Sequence, residues 1–203
     1  MRYGYIAAAL IAVAAGYFLF GRPPQEVTNH PSAGSDIVAL GDSLVYGTGA
    51  PKGQDFVSLL SQKIGRPVVN LGTPGDTTAD VAARLDDLNN YKPKVVILLV
   101  GGNDYLRRIA STETFGNLAT IIQNIHGRGA IVLLLGVRGG VLVDNFKDDF
   151  EQLSDTYKTA YVPDVLKGLL GETEFMADQV HPNAAGHARI TERVYPELVK
   201  LLQ

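Results

Sequence analysis

Five short runs rich in Val, Ile and Leu, at residues 37–40, 67–71, 95–100, 130–135 and 159–162, alternate with segments whose apolar residues recur at three- and four-residue spacing. Strands that read as unbroken apolar runs are buried on both faces, and such strands are typically parallel. Helices are expected over 56–64, 77–88, 114–125 and 146–157, with a last amphipathic helix over 184–202. Asp76 and Asn183 stand where helix N-caps belong. The alternation predicts a three-layer α/β/α domain around a five-stranded, flavodoxin-like parallel sheet. A chain of 203 residues with 46% hydrophobic content buries one good core and leaves no room for a second full-sized domain.

On this fold the chain's most reactive residue types fall together. Gly41-Asp42-Ser43-Leu44 follows the first apolar run directly. A serine in a glycine-rich turn at the end of a buried strand is exposed and held, as an attacking hydroxyl must be. Asn70-Leu71-Gly72-Thr73-Pro74-Gly75-Asp76-Thr77 follows the second run, Gly101-Gly102-Asn103-Asp104 the third, and Asp178-Gln179-Val180-His181-Pro182 comes after the fifth. All four segments map to the carboxyl ends of the strands, where open parallel sheets bind ligands. Taken alone, Gly-Asp-Ser is ordinary turn chemistry, Gly75 after Pro74 suits a type II turn, and Gly-Gly-Asn-Asp suits a loop-to-helix junction with Asp104 capping a short segment from Tyr105. Asp42 is read as holding its turn, and Asn70 and Gly72 as shaping the second loop. Of the four His, His30 lies in the N-terminal tether and His126 near a helix C-terminus, while His187 lies inside the final helix. His181, in the loop before that helix with Asp178 three residues away, is the better candidate base.

The ordered set resembles the SGNH, or GDSL, hydrolase family, over roughly residue 35 to the C-terminus. The resemblance implies that Ser43 is the nucleophile, that Gly75 and Asn103 join the Ser43 amide in an oxyanion hole, and that Asp178 and His181 complete a catalytic triad. It implies acyl transfer to water through an acyl-enzyme, with no metal and no organic cofactor. Within the family the chain looks most like compact bacterial arylesterases, acyl thioesterases and lysophospholipases, which share Gly-Asp-Thr after the second strand and Gly-Gly-Asn-Asp after the third. Short to medium acyl esters, thioesters or lysophospholipids are the expected substrates, in an open cleft bounded by the loops after Gly47, Tyr105 and Gly136. The family also contains carbohydrate O-acetylesterases, which keeps deacetylation of cell-envelope sugars as an alternative.

Readings from other classes have less support. A phosphate- or flavin-binding module lacks both Gly-x-Gly-x-x-Gly and a P-loop. A metal hydrolase would draw on Asp42, Asp104, Asp178 and His181. A net charge of -3 with no basic stripe gives nucleic-acid binding little electrostatic support, and the absence of Cys excludes disulfides and thiol catalysis.

Residues 3–20 carry no charged side chain, and as a helix they would extend about 27 Å, close to a bilayer core. Residues 1–21 are therefore read as an N-terminal transmembrane anchor in preference to a cleaved signal. Residues 22–34, with Pro23, Pro24 and Pro31, read as an extended, mobile tether, and 35–203 as the catalytic domain. Arg2 before the run weakly favours a cytoplasmic N-terminus and a domain exported to the periplasm; periplasmic secretion after signal cleavage is the alternative.

Overall fold

The computed structural model describes residues 26–138 and 146–203; the expected anchor and the start of the tether lie outside the described residues. The chain runs through β1 (Asp36–Gly41), α1 (Ser43–Tyr46), α2 (Phe56–Ile64), β2 (Val68–Gly72), α3 (Thr78–Ala83), a 3-10 segment (Leu85–Asn90), β3 (Pro93–Leu99), α4 (Gly102–Leu106), α5 (Ser111–Gly127), β4 (Ile131–Leu135), α6 (Lys147–Tyr157), β5 (Ala160–Val162) and α7 (Ala184–Leu202). All five strands are parallel, in the order β2-β1-β3-β4-β5.

The layers follow from burial. Every residue of β4 and all but one of β3 are buried, so these strands need helices on both faces and no polar alternation is available to them. Helix α2 packs with α7 on one face, and α3, α5 and α6 pack in sequence on the other, giving the three-layer α/β/α domain. Gly41 pairs with Gly72 on one side and Leu99 on the other. The carboxyl ends of the three strands therefore finish level, at the point where the strand order reverses between β1 and β3. That reversal opens a crevice in an open parallel sheet.

Local chemistry corrects several sequence expectations. The helix expected over 77–88 breaks at Arg84, whose φ of -114° and ψ of 24° lie outside the helical region. Its N-cap is Thr77, not Asp76: Thr77 Oγ1 and the Asp80 carboxylate form a reciprocal capping box, which frees Asp76 to pair with Arg84 at 2.7 Å. Asp104 does not cap the segment from Tyr105, whose helix begins at Gly102 with Gly101 as its N-cap. Asp104 lies inside α4, fully buried, and accepts from the amide and hydroxyl of Thr78. Asn183 does cap α7, accepting from Ala185 N at 2.9 Å and Gly186 N at 3.1 Å.

Nor do residues 27–34 hang free as a tether. Val27 packs against the core. Thr28 N donates to Lys158 O at 2.9 Å and its hydroxyl to Tyr157 O at 3.1 Å. Asn29 Nδ2 donates to His126 O and Ala130 O at 2.9 and 3.0 Å, and Ser32 Oγ to Gly129 O at 2.7 Å. The polar composition that resembles a linker is used to satisfy carbonyls where α5 and α6 end.

Candidate active site

Ser43 opens α1 immediately beyond β1. Asp42 N-caps this short helix, its carboxylate accepting from Leu44 N at 2.9 Å, and Gly47 ends it at a φ of 96°. A Cβ on Gly41 would collide with the Leu99 carbonyl, and one on Gly72 with the Tyr46 backbone, so glycine at both points lets the turn sit tight on β2 and β3. Asn70 secures the same junction, donating to Val45 O at 2.7 Å while accepting from Gly72 N at 2.9 Å. Ser43 is left 9% exposed, and burial pushes the Asp42 carboxyl up to about 7 despite the Leu44 amide.

The loop before α7 brings the partner. Asp178 Oδ1 accepts from Val180 N and His181 N, each at 2.8 Å, and Oδ2 faces His181 Nδ1 at 2.7 Å. These bonds, the imidazole's foremost, hold the Asp178 carboxyl down to about 2, so it is ionised at neutral pH. An ionised acceptor at Nδ1 fixes the proton there in the neutral imidazole and leaves Nε2 as the acceptor. His181 Nε2 lies 3.0 Å from Ser43 Oγ. The loop is clasped at its base by Ala177 N donating to His181 O and Asn183 N to Phe175 O, both at 2.8 Å.

The rival imidazole is committed elsewhere. His187 is fully buried, accepts at Nδ1 from Phe56 N at 3.2 Å, and stacks on the Phe56 ring. Its Nε2 lies 3.3 Å from Thr48 O, and burial lowers its pKa. His126 is likewise lowered by burial. Neither approaches Ser43 in place of His181.

The second and third loops are bonded to one another. Gly75 takes a φ of 89° in a turn closed by Asp76 N donating to Thr73 O at 3.2 Å, as a type II turn requires. Asn103 Nδ2 donates to Asp76 O at 2.9 Å, and Arg107 Nη2 donates to Gly75 O at 2.7 Å. Arg84, which carries no motif signature, reaches back to Gly41 O at 2.9 Å, Leu71 O at 3.0 Å and Asp76 Oδ2 at 2.7 Å. Among the described residues, no acceptor takes up the Ser43 or Gly75 amide hydrogen.

Ser43, Asn103 and His181 line one cavity of about 320 Å³. Asp178 stands behind the imidazole, and Gly75 is off the cavity wall, joined to Asn103 through Asp76. The remaining wall is mostly apolar: Leu44, Tyr105, Leu106, Val137, Leu166, Leu170 and Val180. After Tyr105 only Leu106, the last residue of α4, lines the cavity, whereas the loop after Gly136 contributes Val137 and Arg138; Gly139 and Gly140 lie outside the described residues. The loop after Gly47 does not contribute; Leu44 fills that side. Leu166 and Leu170 were missed, and their only sequence signal is a four-residue apolar spacing just past β5. A larger hollow of about 810 Å³ lies beside Val27 and Leu201, where the Ser154 and Thr159 hydroxyls bond to one another at 3.1 Å. The donors proposed for a metal do not converge: Asp42 is turned to Leu44, Asp104 to Thr78, and Asp178 to His181. Among the described residues no group of three or more His, Asp or Glu is placed to hold an ion.

This chain is 35% identical to the esterase TesA of Pseudomonas aeruginosa, over 84% of this chain and 91% of that protein. It is 31% identical to an arylesterase of Vibrio mimicus, with the same coverage, and 26% identical to thioesterase 1/protease 1/lysophospholipase L1 of Escherichia coli K12, over 87% of this chain and 89% of that protein. The crystal structure of TesA superposes with a TM-score of 0.74 at 34% identity, covering 82% of this chain and 99% of that one. Residues 39–189, from within β1 to the first turns of α7, match a single family and enclose every residue of the Ser43, Gly75, Asn103 and Asp178–His181 segments. By that match, and by relatives aligned nearly end to end, the chain belongs to the GDSL-like lipase/acylhydrolase family.

Proposed function

We propose that this protein is a serine-dependent ester hydrolase that cleaves carboxylic esters and thioesters of short to medium acyl chains, or lysophospholipids, through an acyl-enzyme. The observation that carries the reading is the unbroken chain from Asp178 Oδ2 through the His181 ring to Ser43 Oγ, at 2.7 and 3.0 Å, ending in an apolar cavity. Ser43 Oγ attacks the acyl carbonyl while its proton passes to His181 Nε2, and Asp178 stabilises the imidazolium. The tetrahedral oxyanion is held by the Ser43 amide and by the Asn103 N–H not spent on Asp76, and the third donor in this reading is the Gly75 amide, which stands off the cavity wall with its hydrogen untaken; each such donor is worth about 3 kcal/mol in the transition state. Collapse breaks the bond to the alcohol or thiol, which leaves with the proton from His181. Water, deprotonated by the same imidazole, then attacks the Ser43 ester and releases the carboxylic acid.

A cavity of about 320 Å³ lies at the small end for ligand sites, which supports short to medium acyl groups. We further read residues 3–20 as an uncleaved membrane anchor and the catalytic domain as periplasmic. The deciding experiment is a panel of aryl esters, acyl thioesters, lysolipids and acetylated sugars offered to the full-length protein in detergent. Turnover of the first three with little of the last is expected. Acetyl-sugar hydrolysis alone would overturn the substrate assignment.

A further inference from the structure

The segment leading into β1 is fastened at one place. Every acceptor used by Thr28, Asn29 and Ser32, namely the carbonyls of Tyr157, Lys158, His126, Ala130 and Gly129, lies where α5 and α6 end or where β4 and β5 are about to begin. This is the amino edge of the sheet. Ser43, Asn103 and His181 lie at the carboxyl edge, and the seven residues of β3 alone separate the two by about 23 Å.

We propose that in the membrane-anchored protein the cavity mouth faces away from the bilayer holding the anchor, so that substrates arrive from the aqueous side and lysolipids of the host leaflet are excluded. The proposal rests on the readings of residues 3–20 as a membrane span and of the site as an ester hydrolase. Length decides it. Residues 21–27 can extend at most about 25 Å, whereas a compact domain of this size is about 40 Å across. Turning the mouth onto the host bilayer would require the chain to run past the whole height of the domain, and it is too short while Thr28 and Asn29 stay docked. Tyr105, Leu106 and Val180 at the mouth are exposed apolar side chains. In this orientation they meet dispersed or carrier-borne acyl esters, not the surface of the host leaflet.

The test uses the full-length chain, which has no Cys of its own, reconstituted in phosphatidylcholine vesicles containing an energy-acceptor headgroup lipid. Fluorophores are placed on Leu106→Cys at the mouth and, separately, on Thr156→Cys near the amino edge. Energy transfer at 156 should exceed that at 106 several-fold; equal transfer, or the reverse order, overturns the proposal. In a second arm, lysophosphatidylcholine embedded in the same vesicles should turn over at least about tenfold more slowly than in detergent, while a water-soluble aryl ester keeps its detergent rate. A 20-residue Gly/Ser insertion between Arg22 and Pro23 should restore host-leaflet hydrolysis. Full-rate hydrolysis without the insertion overturns the proposal. Protein that fails to float with vesicles removes the anchor reading, and inactivity on aryl esters in detergent removes the hydrolase reading; either defeats the proposal on grounds the labels keep separate.

Discussion

Asn103 gives one hydrogen of its side-chain amide to the main-chain carbonyl of Asp76 at 2.9 Å. The third loop is thereby bonded to the residue that follows Gly75, and one of the two amide hydrogens remains for the cavity. Asp76 is in turn gripped by Arg84, which also holds the carbonyls at the ends of β1 and β2. Arg84→Ala should lower kcat about tenfold or more with KM changed less than about threefold, as expected when an interaction made only in the transition state is weakened. In steady-state kinetics, the double variant with Asn103→Ala should be no slower than Asn103→Ala alone. Fully additive losses would make Arg84 a purely structural residue.

Ser43 should be the single site labelled by a serine-directed organophosphonate at neutral pH, read by intact and peptide mass spectrometry. Ser43→Ala should abolish labelling and reduce turnover by at least about three orders of magnitude. A label on any other serine, or a variant with wild-type rate, would remove the nucleophile assignment.

The two histidines of the C-terminal region should separate cleanly. His181→Ala removes the proposed base and should cost activity by orders of magnitude with little change in Tm, since the side chain is partly exposed. His187→Ala empties a fully buried position and orphans the Phe56 amide, so it should lower Tm by several degrees while the folded fraction keeps activity within a few-fold. Equal activity losses, measured at a temperature where both are folded, would contradict the assignment.

Asp42 sets a pH dependence of stability. Its folded carboxyl is raised from 3.8 to about 7, mainly by burial, so the folded state binds the proton more tightly than the unfolded state. The resulting stabilisation is complete below about pH 4 and is lost as pH rises through 7, a contribution on the order of a few kcal/mol. Asp42→Asn keeps an acceptor for Leu44 N and removes the buried charge. Thermal melts should show the variant more stable than wild type at pH 8, with the difference vanishing near pH 4. A variant less stable at pH 8 would show that the ionised carboxylate is favoured where it sits.

What the sequence made legible was what is encoded locally. Helix α2 over 56–64 and α7 over 184–202 carry their periodicity within their own residues, and α7 its cap in Asn183 beside them, and the central strands announce double-sided burial by unbroken Val, Ile and Leu. The Gly-Asp-Ser and Asp-to-His spacings were readable for the same reason. What was hidden depends on partners distant in sequence. Arg84 reads as one more helical residue until Gly41 O and Leu71 O are within reach; Asp104 reads as a cap until Thr78 is seen against it. Thr28, Asn29 and Ser32 read as linker because their acceptors are carbonyls about 100 or more residues away.

The 138-position separation of Ser43 and His181 in sequence also sets an order in time. Synthesis delivers Ser43 with the first strand and His181 only with the clasp that precedes α7. The chain through β5 contains all five strands but not the imidazole that stands 3.0 Å from Ser43 Oγ. On the proposed mechanism, hydrolytic competence therefore waits for the part of the chain made last, the loop and α7 that hold the imidazole against Ser43.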